Sequence, residues 1–173
     1  AKRNLDVKIP AGVETGNRIQ LSGQGEVGPG GGPAGDLYVE IIVEEDEFLV
    51  REGDDLHVAL SVPMTGAALG TSLSIDSLDG AVEVVIKAGT QSGQIIPIRG
   101  KGMTRLRGGG RGDLFAHVAV EIPTKLSRRQ EELLKEFESE RGDSSDSNKV
   151  RSRKENSETS SGFFGKFRDA FKN

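Results

Sequence analysis

Apolar and polar residues alternate in short runs along most of the chain. Leu5, Val7 and Ile9 alternate with Asp6 and Lys8. A period of two puts one set of side chains on one face of a strand. The pattern recurs at Ile19 and Leu21, then at Leu37, Val39, Ile41 and Val43, which predicts a strand over residues 36–44. It recurs in LHVALSV (56–62) and TSLSID (71–76), with the short segment PMTGAALG (63–70) between them. Val82, Val84 and Ile86 follow, then Ile96 and Ile98, then Leu114, Ala116, Val118 and Val120 in a strand predicted over residues 113–121. After Pro123 the period changes. Leu133, Leu134 and Phe137 form an apolar stripe at helical spacing. Ser127 and Gln130 make a capping box, Glu131 and Lys135 a favourable pair one turn apart, and Gly142 a stop. Arg128 and Arg129 oppose the helix dipole.

The strands come in two sets with one register. Gly12, Gly16, Gly23 and Gly25 recur as Gly89, Gly93, Gly100 and Gly102, an offset of 77 residues. The same offset carries Gly35-Asp36-Leu37 onto Gly112-Asp113-Leu114 and Val43-Glu44 onto Val120-Glu121. An offset this long marks a duplicated domain rather than a solenoid repeat. Both copies follow one plan: a strand, an Ala-Gly-containing turn, a short strand, a Gly-rich loop and a third strand. Only the second copy has the upstream strands of 56–76, so the first is expected to be truncated. The expected architecture is mostly β, with two tandem homologous small β-sandwich-like domains followed by a C-terminal helix. The expected boundaries are residues 1–46, 47–123, 124–141 for the helix, 142–161 for a disordered linker and 162–173 for a Phe-rich tail.

Composition narrows the function classes. The chain has 23 Lys and Arg against 27 Asp and Glu, a formal charge of -4. That balance argues against a nucleic-acid binder, which carries a basic face. There are no cysteines, so disulfides and thiolate metal sites are excluded within these residues. No apolar run reaches the roughly 20 residues that span a bilayer, and AKRNLDVKIP lacks a signal-peptide core. A cytoplasmic protein is the expectation. Only 34% of residues are hydrophobic and 24 are glycine, which suits two thin cores better than one large one.

Candidate chemistry is sparse. Gly23-Gln24-Gly25-Glu26-Val27-Gly28 matches a dinucleotide fingerprint literally, but PGGGPAGD follows and cannot start the helix that the fingerprint needs. The second copy also lacks the third glycine, so turns are the better account. His57 and His117 sit in strand patterns with no ligand partner nearby in sequence. Asp54, Asp55, Asp76 and Asp79 border turns, where carboxylates cap backbone N–H groups. Arg111-Gly112-Asp113 spells an adhesion tripeptide, but Gly-Asp-Leu opens the matching strand in both copies. No catalytic triad or P-loop is visible, and an enzyme is not expected.

The C-terminal third is of a different kind. The predicted helix either docks on its own domain or pairs with another subunit. Residues 143–161 are almost wholly polar and are expected to be disordered. The chain ends in GFFGKFRDAFKN, with Phe163, Phe164, Phe167 and Phe171. A segment this short cannot hold a helix alone and needs a partner surface. The candidates, in order, are another copy of the chain, the same chain, and a membrane interface.

The run VKIPAGVETGNRIQLSGQGE…GGPAGDLYVEI, then GDDL, AALG, LDG, GTQSG, RGKGMTRLRGGGRGDL and IPTKLSRRQEELL, resembles the C-terminal region of the DnaJ family of J-domain co-chaperones. The resemblance covers about residues 3–141, in order and spacing, and the Phe-rich end is similar too. It implies two β-rich domains in series that bind unfolded polypeptide, with a C-terminal segment that makes a homodimer. The client adds as a strand to a sheet edge of the first domain and inserts an apolar side chain into a pocket. By that resemblance the pocket falls on Leu5 and Val39. Val7, Leu37 and Ile41 join them by strand parity. Dimerisation falls on Leu126, Leu133, Leu134, Phe137 and the four tail phenylalanines.

This sequence departs from the family pattern in several places. The J domain that stimulates a DnaK-type ATPase, the Gly/Phe linker and the CxxCxGxG zinc repeats are not in these residues. The family's His-Pro-x-Phe reads Asp46-Glu47-Phe48-Leu49 here. The expectation is a C-terminal fragment of a zinc-containing member, its peptide site lacking whatever precedes it. No cofactor is expected in these residues. Zinc and delivery of clients to a DnaK-type chaperone would belong to the intact protein. The alternative is a structural homo-oligomerisation module with no client binding of its own.

Overall fold

The computed structural model describes residues 4–142. Its elements run β1 (Arg18–Leu21), β2 (Leu37–Glu40), β3 (Leu49–Glu52), β4 (Asp55–Pro63), α1 (Met64–Leu69), β5 (Thr71–Ser77), β6 (Gly80–Ile86), β7 (Ile95–Ile98), β8 (Leu114–Glu121) and α2 (Arg128–Arg141). They form a four-stranded sheet in the order β3-β4-β8-β7 and two hairpin sheets, β1-β2 and β5-β6. Among the described residues, 4–120 make one compact unit and 121–142 belong to a second.

The duplication holds bond for bond. β1 and β2 pair antiparallel with Ile19 opposite Val39 and Leu21 opposite Leu37. β7 and β8 pair with Ile96 opposite Ala116 and Ile98 opposite Leu114. Gly16 N donates to Ile41 O and Ile41 N to Asn17 O in the first repeat; Gly93 N donates to Val118 O and Val118 N to Gln94 O in the second. The loops match too. Gly25 N to Gly35 O recurs as Gly102 N to Gly112 O, and Gly35 N to Glu26 O recurs as Gly112 N to Met103 O.

The core lies entirely in the second repeat. Alternate residues of β4 (Leu56, Val58, Leu60, Val62) and β8 (Leu114, Ala116, Val118) cluster with Ala67 of α1, Ile75 of β5, and Val84 and Ile86 of β6. Leu114 and Val62 are fully buried, and each such side chain contributes about 1.5–3 kcal/mol. This is a sandwich-like arrangement, with the four-stranded sheet on one side and the hairpin and α1 on the other.

Two predicted strands of the first repeat are corrected. Residues 4–10, which carry Leu5, Val7 and Ile9, form no strand. Among the described residues no strand lies beside them, and a strand without a neighbour leaves its ladder unsatisfied. The strand predicted over residues 36–44 is regular only over Leu37–Glu40. Past Ile41 the chain faces a turn, and Val43 N bonds the Thr15 hydroxyl at 2.9 Å, as Val120 N bonds Ser92 Oγ at 3.1 Å in the second repeat. β8 stays regular to Glu121, with β4 on its other side.

Within the second unit, α2 forms as its pattern dictates. Gln130 N donates to Ser127 Oγ, and Ser127 N donates to Gln130 Oε1, closing the capping box. Gly142 takes the left-handed conformation at the end, φ 68°. Arg128 and Arg129 both reach Glu132, at 3.4 Å each, so the cations that oppose the dipole are paired one turn on.

A histidine pair spans the central ladder. His57 of β4 and His117 of β8 place Nδ1 and Nε2 at 2.9 Å, and His57 also stacks on Phe115. His57 Nε2 lies 3.3 Å from Glu52 Oε2. A proton on Nε2 for that contact leaves Nδ1 as an acceptor for His117, so a second proton on His57 would set two donors face to face. Burial lowers the pKa of His57, opposed by Glu52 and Asp55. Burial, then the charge on His57, lowers that of His117. A depressed His makes the folded state bind fewer protons than the unfolded one below about pH 6.5, so stability falls with pH there. Asp36, Asp46 and Asp79 are lowered from 3.8, so their contribution is lost only in more acidic solution. We therefore expect Tm to be lower at about pH 5.5 than at about pH 7.5. The gap should close in a His57→Gln/His117→Gln double variant, and a wild-type Tm that does not change across this window would contradict the account.

Candidate functional site

The first repeat carries the apolar face of the second without its cover. Leu114, Ala116 and Val118 are 0%, 0% and 3% exposed. Their counterparts Leu37, Val39 and Ile41 are only half-buried. Val84 and Ile86 are buried, whereas their counterparts are a half-buried Val7 and an Ile9 that is 61% exposed. Leu5 is 36% exposed.

The hairpin that bears this face is held by its loops. Asp36 accepts Gly23 N at 2.9 Å through Oδ1 and Gln20 Nε2 through Oδ2. The Gly23 N–H first, and Gln20 second, hold its carboxyl below the usual range. Asp113 takes Gly100 N in the same way in the second repeat. These bonds also decide the glycine cluster. Gly23 N is used by Asp36 and Gly25 N by Gly35 O, and the next element is β2 rather than a helix. No pyrophosphate site is formed there.

Beside the hairpin lies a cavity of about 380 Å³ lined by Asn4, Leu5, Asp6, Gln20, Leu21, Ser22 and Gln24. Gln24 Oε1 is buried and has no hydrogen-bond partner among the described residues. The cavity brings Leu5 together with Leu21, a residue the sequence did not single out. Val7, Leu37, Val39 and Ile41 do not line it. Leu37 and Val39 share the face of Leu21 and Ile19 by register.

The edge of β2 away from β1 is open. On β8 the equivalent edge is taken by β4: Leu56 N donates to Asp113 O at 2.9 Å, and Met103 N to Asp54 O at 2.8 Å. Asp54 O sits so close that a Cβ on Gly112 would lie 2.0 Å from it. A Cβ on Gly35, the counterpart of Gly112, would meet nothing nearer than 3.7 Å. Among the described residues, none approaches Gly35 as Asp54 approaches Gly112.

Other singled-out residues have structural duties. Asp79 takes Arg111 at 2.6 Å and Lys101 at 3.3 Å, contacts that lower its pKa, Arg111 most. Asp55 Oδ1 accepts Asp113 N, and Arg111 also donates to Gly102 O. The adhesion-like tripeptide is thereby tied into its own loop. Among the described residues there is no group of three or more metal-ligating side chains, and no helix is long and apolar enough to cross a membrane. Of the dimerisation candidates, Leu126, Leu133 and Phe137 are 42%, 46% and 58% exposed, and Leu134 is half-buried. Phe163, Phe164, Phe167 and Phe171 lie outside the described residues.

Comparison with known proteins gives the family. Residues 1–123 match the model of the DnaJ C terminal domain. The chain is 53% identical over 171 residues to "Chaperone protein DnaJ 2" of Streptomyces avermitilis, covering 99% of this chain and 44% of that protein. It is 51% identical over 172 residues to "Chaperone protein DnaJ 1" of Mycolicibacterium paratuberculosis, again 99% and 44%. It is 54% identical over 142 residues to "Chaperone protein DnaJ 2" of Mycobacterium bovis, covering 82% and 37%. The chain spans less than half the length of these relatives.

The asymmetry of the two glycines is measurable. Gly112→Ala should cost about 1–3 kcal/mol of stability, the usual scale of overpacking, whereas Gly35→Ala should be near neutral. Chemical denaturation of both variants checks this, and equal costs would mean that the edge of β2 is not open.

Proposed function

The chain belongs to the DnaJ C terminal domain family, a family of chaperones rather than enzymes, and from that premise we propose that it binds non-native polypeptide at the first repeat and homodimerises through its C-terminal segments. One observation carries the proposal. Residues 4–10 pair with no strand among the described residues and bring Leu5 to a cavity, while their counterparts in the second repeat lie in β6, paired with β5. An extended client takes the place that β5 has beside β6. Backbone bonds to residues 4–10 supply affinity without regard to sequence, and an apolar client side chain enters beside Leu5 and Leu21. Val7, Leu37, Val39 and Ile41 lie outside the cavity lining and would extend the apolar contact along the hairpin. A chaperone needs this tolerance, because backbone donors and acceptors are common to all clients.

Dimerisation falls on Leu126, Leu133, Leu134 and Phe137, joined by the four tail phenylalanines. The exposed apolar stripe of α2 supports this, since a stripe left in water favours a partner. Residues 1–46 and 47–123 are then two domains of unequal completeness, the first for clients and the second as its scaffold. In the longer protein, zinc would be held by a cysteine module outside these residues, and clients would pass to a DnaK-type chaperone in the cytoplasm. Nucleic acid and membrane have no part in it.

Titration of an unstructured apolar peptide into the full chain tests the site. Leu5→Asp, at a partly exposed position, should leave the circular dichroism unchanged and raise Kd about tenfold, the equivalent of roughly 1.4 kcal/mol. Absence of binding by the wild type would favour a scaffold with no client site. In sedimentation, Leu133→Asp/Phe137→Asp should convert dimers to monomers. A variant that remains dimeric would move the interface away from α2.

A further inference from the structure

We propose that Arg51 is the positioning residue that keeps the first repeat ordered by fastening it to the second. The first repeat has no buried residue among those described, and its sheet is a hairpin of two short strands. A hairpin of that kind is marginal by itself in water. Within residues 4–120 the second repeat offers it one concentrated contact, at the turn of residues 12–14.

Arg51 stands on β3, at the edge of the four-stranded sheet. Its guanidinium leaves the second repeat and enters the turn of the first. Nη1 donates to Val13 O at 2.6 Å and Nη2 to Gly12 O at 2.9 Å, while Nε donates to Gly53 O at 2.8 Å. Glu14 Oε1 lies 3.3 Å from Nη2. The side chain is only 19% exposed, so these charge-assisted bonds are partly shielded from water.

The same turn is pressed on its other side. A Cβ on Gly12 would lie 2.1 Å from Thr104 O and 2.9 Å from Leu106 N, both in the long loop of the second repeat. Gly89, its counterpart, has the same left-handed conformation (φ 82° against 86°) but nothing within 4 Å. Close approach at Gly12 therefore belongs to the seam and not to the turn itself. From the clamped turn, Gly16 N reaches Ile41 O, Asn17 O accepts Ile41 N, and Thr15 Oγ1 accepts Val43 N. Order passes from Arg51 through this turn to β1 and β2. Lysine replaces it only in part, because a single ammonium cannot serve acceptors spread around a planar guanidinium.

Amide hydrogen exchange on the full chain separates the repeats. In Arg51→Met, which keeps the apolar stem, exchange in residues 16–21 and 37–43 should accelerate at least about tenfold, as expected when a local unit opens. Residues 56–62 and 114–120 should be unchanged. Arg51→Lys should fall between, and Gly12→Ala should reproduce the pattern from the other side of the turn. No acceleration in Arg51→Met, or equal acceleration in both repeats, would overturn the proposal. The bearing on client binding rests on the reading given under Proposed function, and a peptide titration keeps the two apart. If exchange changes as expected but the wild type binds no peptide, the client site fails and the clamp stands. If peptide affinity drops in Arg51→Met with exchange unchanged, the clamp fails and the client site stands.

Discussion

An apolar sheet face must be covered by something, and this chain carries the face twice but covers it once. In the second repeat α1 and the β5-β6 hairpin close over Leu114, Ala116 and Val118, with β4 alongside in the same sheet. In the first, the same hydrogen-bonded frame presents Leu37, Val39 and Ile41 with far less over them. Duplication makes the comparison a controlled one. The loops, the carboxylate caps and the strand register are held constant, and only the cover differs.

Order in the first repeat is thus borrowed. Each of its backbone bonds contributes on the order of 1 kcal/mol, and few of its side chains are deep enough to add the larger increments of a core. The second repeat holds the buried residues and lends rigidity through the turn at residues 12–14.

Much of this was legible in the residues. The 77-residue register, the capping box of α2, the turns at Gly12 and Gly16 and the second repeat's strands all follow from spacing and local chemistry. Alternation failed at residues 4–10 for a physical reason. It reports which side chains share a face, and says nothing of whether a neighbouring strand exists to bond the backbone. Leu21 escaped notice as a cavity residue because its run is short, and Gln24 because an unpaired oxygen is visible only in three dimensions. Arg51 was hidden more thoroughly. Its acceptors are main-chain carbonyls, which leave no mark on composition or spacing.

The central claim is that the uncovered segment of the first repeat is where a client strand is added. Amide exchange of the wild-type chain, with and without a saturating unstructured apolar peptide, tests it most directly. The account predicts slowed exchange at residues 4–10 and no change at residues 80–86, the matched segment that already has its partner. Slowed exchange at residues 80–86 or along α2, with residues 4–10 unaffected, would contradict it.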